Sequence, residues 1–171
     1  MPPVLFPAMA AALLVTNATP AKRSPAPALP SPRFALYLVA NQPRRLRSRL
    51  EPLGRYRLAK RPLISETDLA AYHWRTHLLV LHPAALRRIT RQGRPLLNSI
   101  FVVTVGRKKI YAGVFWSDFY SSSRSDPVAM QRKNGFRIER AYPTPAFAAG
   151  PDPRGHAAIK AALKRAKLLR P

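Results

Sequence analysis

The sequence contains no cysteine, so disulfides, thiolate zinc sites and a thiol nucleophile are all excluded. Acidic residues are almost as scarce: seven Asp and Glu stand against thirty Lys and Arg, a formal net charge of +23. The seven are Glu51, Glu66, Asp68, Asp118, Asp126, Glu139 and Asp152. Paired-carboxylate chemistry needs two of them within several Å, and only Asp118 and Asp126 flank a common segment across which they could approach. Glycine is limited to seven residues, and none of them builds a phosphate-cradling motif. Ser117, Ser121, Ser122, Ser123 and Ser125 lie outside any G-x-S-x-G elbow, so no activated serine is indicated. An enzyme is therefore not expected, and no cofactor is implied.

Long apolar runs are missing as well. A membrane span needs ~20 apolar residues, and Val4–Val15, interrupted by Pro7, falls short. That run leads through small residues to Thr19-Pro20-Ala21, as the h-region of a secretory signal peptide does, although no Lys or Arg precedes it. Residues 1–21 read as a leader, and a periplasmic or secreted location follows. Residues 22–33 alternate Pro with small residues, the composition of an extended linker. Residues 34–170 are long enough for one domain, and the 47% hydrophobic content suffices for a core.

Within the domain, Phe34–Ala40 is apolar, aromatic and branched, and reads as a strand. The segment from Arg44 to Arg61 carries eight basic side chains against Glu51, and Pro52 and Gly54 interrupt its helical leucine spacing. It reads as irregular, with a strand near Tyr56–Ala59. Ser65 followed by Asp68 is a capping signature, which predicts a short helix over Glu66–Tyr72. Thr76–Leu81 reads as a strand. Pro83 and Gly93 bracket a helix. Ile100–Val105 and Lys109–Trp116 around Gly106-Arg107-Lys108 form a β-hairpin. Short extended pieces follow, and the chain closes on a helix over His156–Leu169, with Ile159, Ala162 and Leu163 on one face and Lys160, Lys164 and Lys167 on the other. The expected class is α+β: a single mixed or antiparallel sheet with a central hairpin, covered by two or three helices.

The flow "P-L-I-S-x-x-D-L-x-x-Y-x-W-x-T-H" from Pro62 to His77, followed by "I-Y-x-G-x-F-W-S" from Ile110 to Ser117, resembles a group of small exported bacterial proteins of unknown function. The same region is similar in pattern to the head part of the first periplasmic domain of SecD. There Ala84–Thr90 matches a helix, Phe101–Val105 and Lys109–Gly113 a hairpin, and Pro127-Val128 the last element. The likeness spans roughly residues 62–130. It implies an exported α+β domain that contacts a ligand or protein, without an assigned reaction.

His73, His77 and His82 lie near one another, but a strand from Thr76 onward removes the i, i+4 spacing a helix would give the first two, so no metal site is expected. What remains is charge. An excess of +23 attracts acidic proteins, anionic lipid and other polyanions, and non-specific affinity for nucleic acid in vitro follows from it. The candidate contact residues are Arg44, Arg45, Arg47 and Arg49 in the basic segment, with Tyr120, Ser121 and Arg124 in the serine-rich loop after the hairpin. Phe115 and Trp116 alternate as opposite faces of a buried strand, whereas the serine-rich loop has no evident packing duty. The expected function is non-covalent binding at the cell envelope; the alternative is a cytoplasmic nucleic-acid-associated protein with an apolar start.

Overall fold

The computed structural model describes residues 34–91 and 96–171. The leader, the linker and Gly93 lie outside the described residues. The strands are β1 (Phe34–Leu38), β2 (Ile64–Ser65), β3 (Leu69–His73), β4 (Leu78–Leu81), β5 (Ile100–Val105), β6 (Lys108–Trp116), β7 (Val128–Arg132), β8 (Gly135–Glu139) and β9 (Leu169–Arg170). Helix α1 covers Pro83–Thr90 and helix α2 covers Ala157–Arg165. All nine strands join one sheet in the order β2-β1-β5-β6-β7-β8-β4-β3-β9. The β6–β7 and β3–β9 pairs are parallel and the others antiparallel, so the sheet is mixed and the class is α+β.

The sheet curls into a half-barrel. Phe34 on β1 meets Tyr72 on β3 edge to face at 6.2 Å between ring centroids, although five strands stand between them in the sheet. The hollow is filled by Phe101, Phe115 and Phe136, whose rings pack in sequence at 5.3 Å. Ile159, Ala162 and Leu163 of α2 and Ala85 and Ile89 of α1 complete this inner core. Both helices thus present their apolar stripes to the same, concave side.

The convex side carries a second cluster: Ile100 and Val102 from β5, Val114 and Trp116 from β6, Val128 and Met130 from β7. No helix covers it among the described residues. The basic segment lies across it instead and packs Leu46, Leu50, Leu53 and Leu58 onto the sheet. Its leucines were spaced for a helix, but Pro52 and Gly54 leave only a 3-10 turn at Leu53–Arg55. The strand expected near Tyr56–Ala59 is a single bridge between Leu58 and Val39.

Three further expectations change. The capping signature at Ser65 is real: the Ser65 N–H and Oγ both donate to Asp68 Oδ2, at 2.9 and 2.8 Å. It closes only one 3-10 turn, Glu66–Asp68, and the chain then becomes β3 rather than a helix. The hairpin with β4 decides this, because it places Leu69 and Tyr72 in the inner core. Its turn, with His77 at φ 50°, delays β4 to Leu78. Strict alternation along β6 predicts Ile110 on the face of Val114 and Trp116, but Ile110 is an extra residue where the register with β5 shifts, so it packs toward the inner core. The extended pieces after the serine-rich loop pair as the β7–β8 hairpin.

Candidate functional site

The basic segment forms a strap over the convex face, and specific bonds tie it down. The Gln42 side chain exchanges hydrogen bonds with the Ile100 backbone at 2.8 and 2.9 Å. Lys109 Nζ donates to the Leu53 and Tyr56 carbonyls at 3.3 and 2.7 Å. The Glu51 N–H donates to the Tyr56 hydroxyl at 2.8 Å. Arg44, Arg45, Arg47 and Arg49 face solvent along this strap. Arg47 pairs with Glu51 at 3.2 Å; the other three have no acidic partner among the described residues.

The serine-rich loop is the crossover between the parallel strands β6 and β7, and it runs over the same convex face. Arg124, expected at the surface, is only 4% exposed. Its guanidinium lies 5.7 Å from the Trp116 ring centroid. One nitrogen donates to Asp126 Oδ2 at 2.8 Å and another to the Arg47 carbonyl. Asp126 Oδ2 also accepts the Leu50 N–H at 3.1 Å. Burial raises the Asp126 pKa above its ordinary value in spite of Arg124. Arg124 therefore clasps loop to strap and presents no free cation to a partner. The backbone bridge to Tyr142 holds it in place.

Tyr120 is half-buried, tilted against Trp116 at 4.7 Å, with its hydroxyl accepting from Asn98 Nδ2. Ser121, Ser122 and Ser123 are exposed. The site residues thus separate into two sets: arginines on the strap and Ser121 at the surface, Tyr120 and Arg124 beneath them. Asp118 and Asp126, the one carboxylate pair worth testing, each bind a different arginine, Arg132 at 3.2 Å and Arg124 at 2.8 Å.

His77 is buried, and its Nδ1 meets the Tyr72 hydroxyl at 2.9 Å. Desolvation, helped by the Arg154 charge, pushes its pKa down to about 4. Among the described residues no three His, Asp or Glu side chains gather around a common point. No helix of the described residues is long and apolar enough to cross a membrane.

Sequence reasoning missed an open cavity of about 480 Å³ where β6 and β7 end. Ile89, Phe115 and Phe136 line it, with Leu97, Phe119 and Arg132 also at its wall. Phe119 is 98% exposed. Of the aromatics crowded at the end of β6, it is the one that neither the strand alternation nor the crossover buries.

The charge arrangement is more telling. Every acidic side chain has a partner inside the fold. Glu51, Asp68, Asp118, Asp126, Glu139 and Asp152 pair with Arg47, Arg88, Arg132, Arg124, Arg137 and Arg154. Glu66 accepts the Phe34 N–H at 2.8 Å. No lysine is ion-paired among the described residues. The positive excess is thus left on the surface, with no acid free to offset it. No protein family, curated protein or solved structure is matched by this chain.

Proposed function

We propose that this protein is an exported, non-enzymatic binding domain that contacts an acidic protein or other polyanion at the cell envelope through its basic surface. The observation that carries the proposal is the commitment of all seven acids to internal partners, while Arg44, Arg45 and Arg49 stand free on a strap pinned to the sheet. A pinned backbone presents its cations without first ordering a loop, which lowers the entropic cost of association. Arginine forks suit carboxylates, which favours an acidic protein as the strap's partner. The likeness to small exported proteins and to the SecD head supports the envelope location.

Two measurements test this reading. The triple variant R44Q/R45Q/R49Q should bind polyglutamate about tenfold more weakly at physiological salt, from roughly half a kcal/mol per exposed charge; unchanged affinity would remove the strap as the contact surface. N-terminal sequencing of the native protein should find a start near Lys22. An intact Met1 in the cytosol would favour the nucleic-acid-associated alternative.

A further inference from the structure

A second cationic surface lies away from the strap. The groove between α2 and the Trp74 corner has a volume of about 460 Å³ and is walled by Trp74, Lys160, Lys164, Lys167, Leu169 and Arg170. We propose that this groove binds a linear phosphate polymer, recognised by its charge spacing and not by any attached base. The proposal deepens the polyanion reading above by adding a separate site and a ligand chemistry.

Four cations line the groove and no Asp or Glu side chain does; Pro171 completes its wall. All seven acidic side chains are engaged by other groups, so none of them offsets this charge. Lys160 and Lys164 stand about 6 Å apart along the helix axis, and Lys167 and Arg170 continue past its end. Lys167 holds a left-handed backbone, φ 59°, that turns the chain from α2 into β9 and so keeps it in the same groove. Arg170 Nη1 donates to the Lys167 and Leu169 carbonyls at 3.2 Å each, which fixes the guanidinium beside the lysines. A row of this length outreaches a single phosphate and matches several phosphates in series.

Trp74 sets the geometry. Its ring packs against Tyr72 at 6.1 Å and His77 at 5.7 Å, so a buried aromatic pile holds it from behind. The Lys160 ammonium sits over the ring at 5.3 Å from the centroid. That is cation–π distance, and it makes Trp74 a positioning residue for Lys160 and leaves its face occupied against a stacking base. A bilayer fits less well: the exposed large apolar side chains of the described residues, Leu97, Phe119 and Phe147, lie outside the groove, so nothing there projects to insert.

The test uses the full chain carrying Trp116→Phe, which leaves Trp74 as the only tryptophan. Its fluorescence is titrated with inorganic polyphosphate, oligothymidylate of equal phosphate count, and vesicles containing anionic lipid. The expected result is a Trp74 signal with both polymers at similar affinity. K160Q/K164Q/K167Q should then lose at least tenfold in affinity, and R44Q/R45Q/R49Q, of the same net charge, no more than threefold. Equal losses in the two triples would reduce the effect to a diffuse field and overturn the site, leaving the strap proposal to its own polyglutamate measurement. Much tighter binding of oligothymidylate than of polyphosphate would overturn recognition by charge alone. Binding to vesicles only would assign the groove to membranes instead. Read by titration calorimetry in the chain that keeps Trp116, Trp74→Leu should weaken both polymers, with Trp74→Phe retaining most of the affinity; indifference to both would remove the positioning role.

Discussion

Arg124 and Ser121 sit three positions apart in one loop and do opposite things. Ser121 faces water, whereas Arg124 is buried against Trp116 and bonded to Asp126 and the strap. Removing one partner of a buried pair leaves the other uncompensated. Arg124→Ala should therefore cost about 3 kcal/mol of stability in urea unfolding, and Ser121→Ala should stay within about 0.5 kcal/mol. An equal, small effect for both would return Arg124 to the surface. The sequence offered one hint of this clasp, an arginine two residues before an aspartate and close to a tryptophan, but an arginine among serines reads as solvated until the crossover is seen to fold over Trp116. His77 carries a pH prediction. Above pH 6.5 neither folded nor unfolded chain protonates it. Between 6.5 and about 4 the unfolded chain takes the proton and the fold does not, so stability falls as pH falls through that window. The full loss approaches about 3 kcal/mol. His77→Asn, which tolerates the positive φ, should flatten that slope in thermal melts at pH 7, 6 and 5. The hydrogen-bonded Asp152, and Asp68, where bonds from Ser65 and Arg88 overcome desolvation, both titrate below the ordinary carboxylate range and add their losses at lower pH.

At the scale of elements, local signals predicted what happened where packing agreed with them. Pro83 opens α1, and its buried residues Ala85 and Ile89 keep helical spacing. The β5–β6 alternation placed Phe115 and Trp116 on opposite faces, as its period of two requires. The capping signature at Ser65 failed as a helix predictor because one turn satisfies it and the β3–β4 hairpin then buries Leu69 and Tyr72. Strand β9 was read as the end of a helix, since two residues paired to β3 have no period to show. The tightest of the described glycines is Gly135, where a Cβ would lie 1.8 Å from the Leu79 carbonyl oxygen. Gly135→Ala should therefore prise β8 from β4 and cost about 3 kcal/mol. Amide exchange across Leu78–Val80 should accelerate in that variant, and unchanged protection there would contradict the close approach.

For the whole molecule, the central facts are curvature and charge. Curling of the sheet brings β1 and β3 together across the hollow and leaves the convex side without a helix among the described residues. The strap covers that side, so the residues most basic in sequence serve the fold through their leucines and meet solvent through their arginines. The segment that reads in sequence as irregular and basic is thus held against the sheet. Seven acids distributed among seven internal partners leave the excess charge uncompensated on two faces, the strap and the Trp74 groove. The two triple variants separate these faces because each removes three charges from one of them.

The sequence by itself determined the α+β class of the molecule and ruled out chemistry that needs cysteine. Absence of cysteine, scarcity of acids and glycine, and the lack of reactive motifs are properties of composition, and folding cannot add them. Helix α1 and the β5–β6 hairpin were legible because their spacing and end signals are local. Only the tertiary structure decided which charges are free. Burial depends on which segments cross the convex face, and that follows from the parallel β6–β7 crossover and the path of the strap. Those are contacts between residues as far apart as Arg47 and Arg124, and no local pattern encodes them.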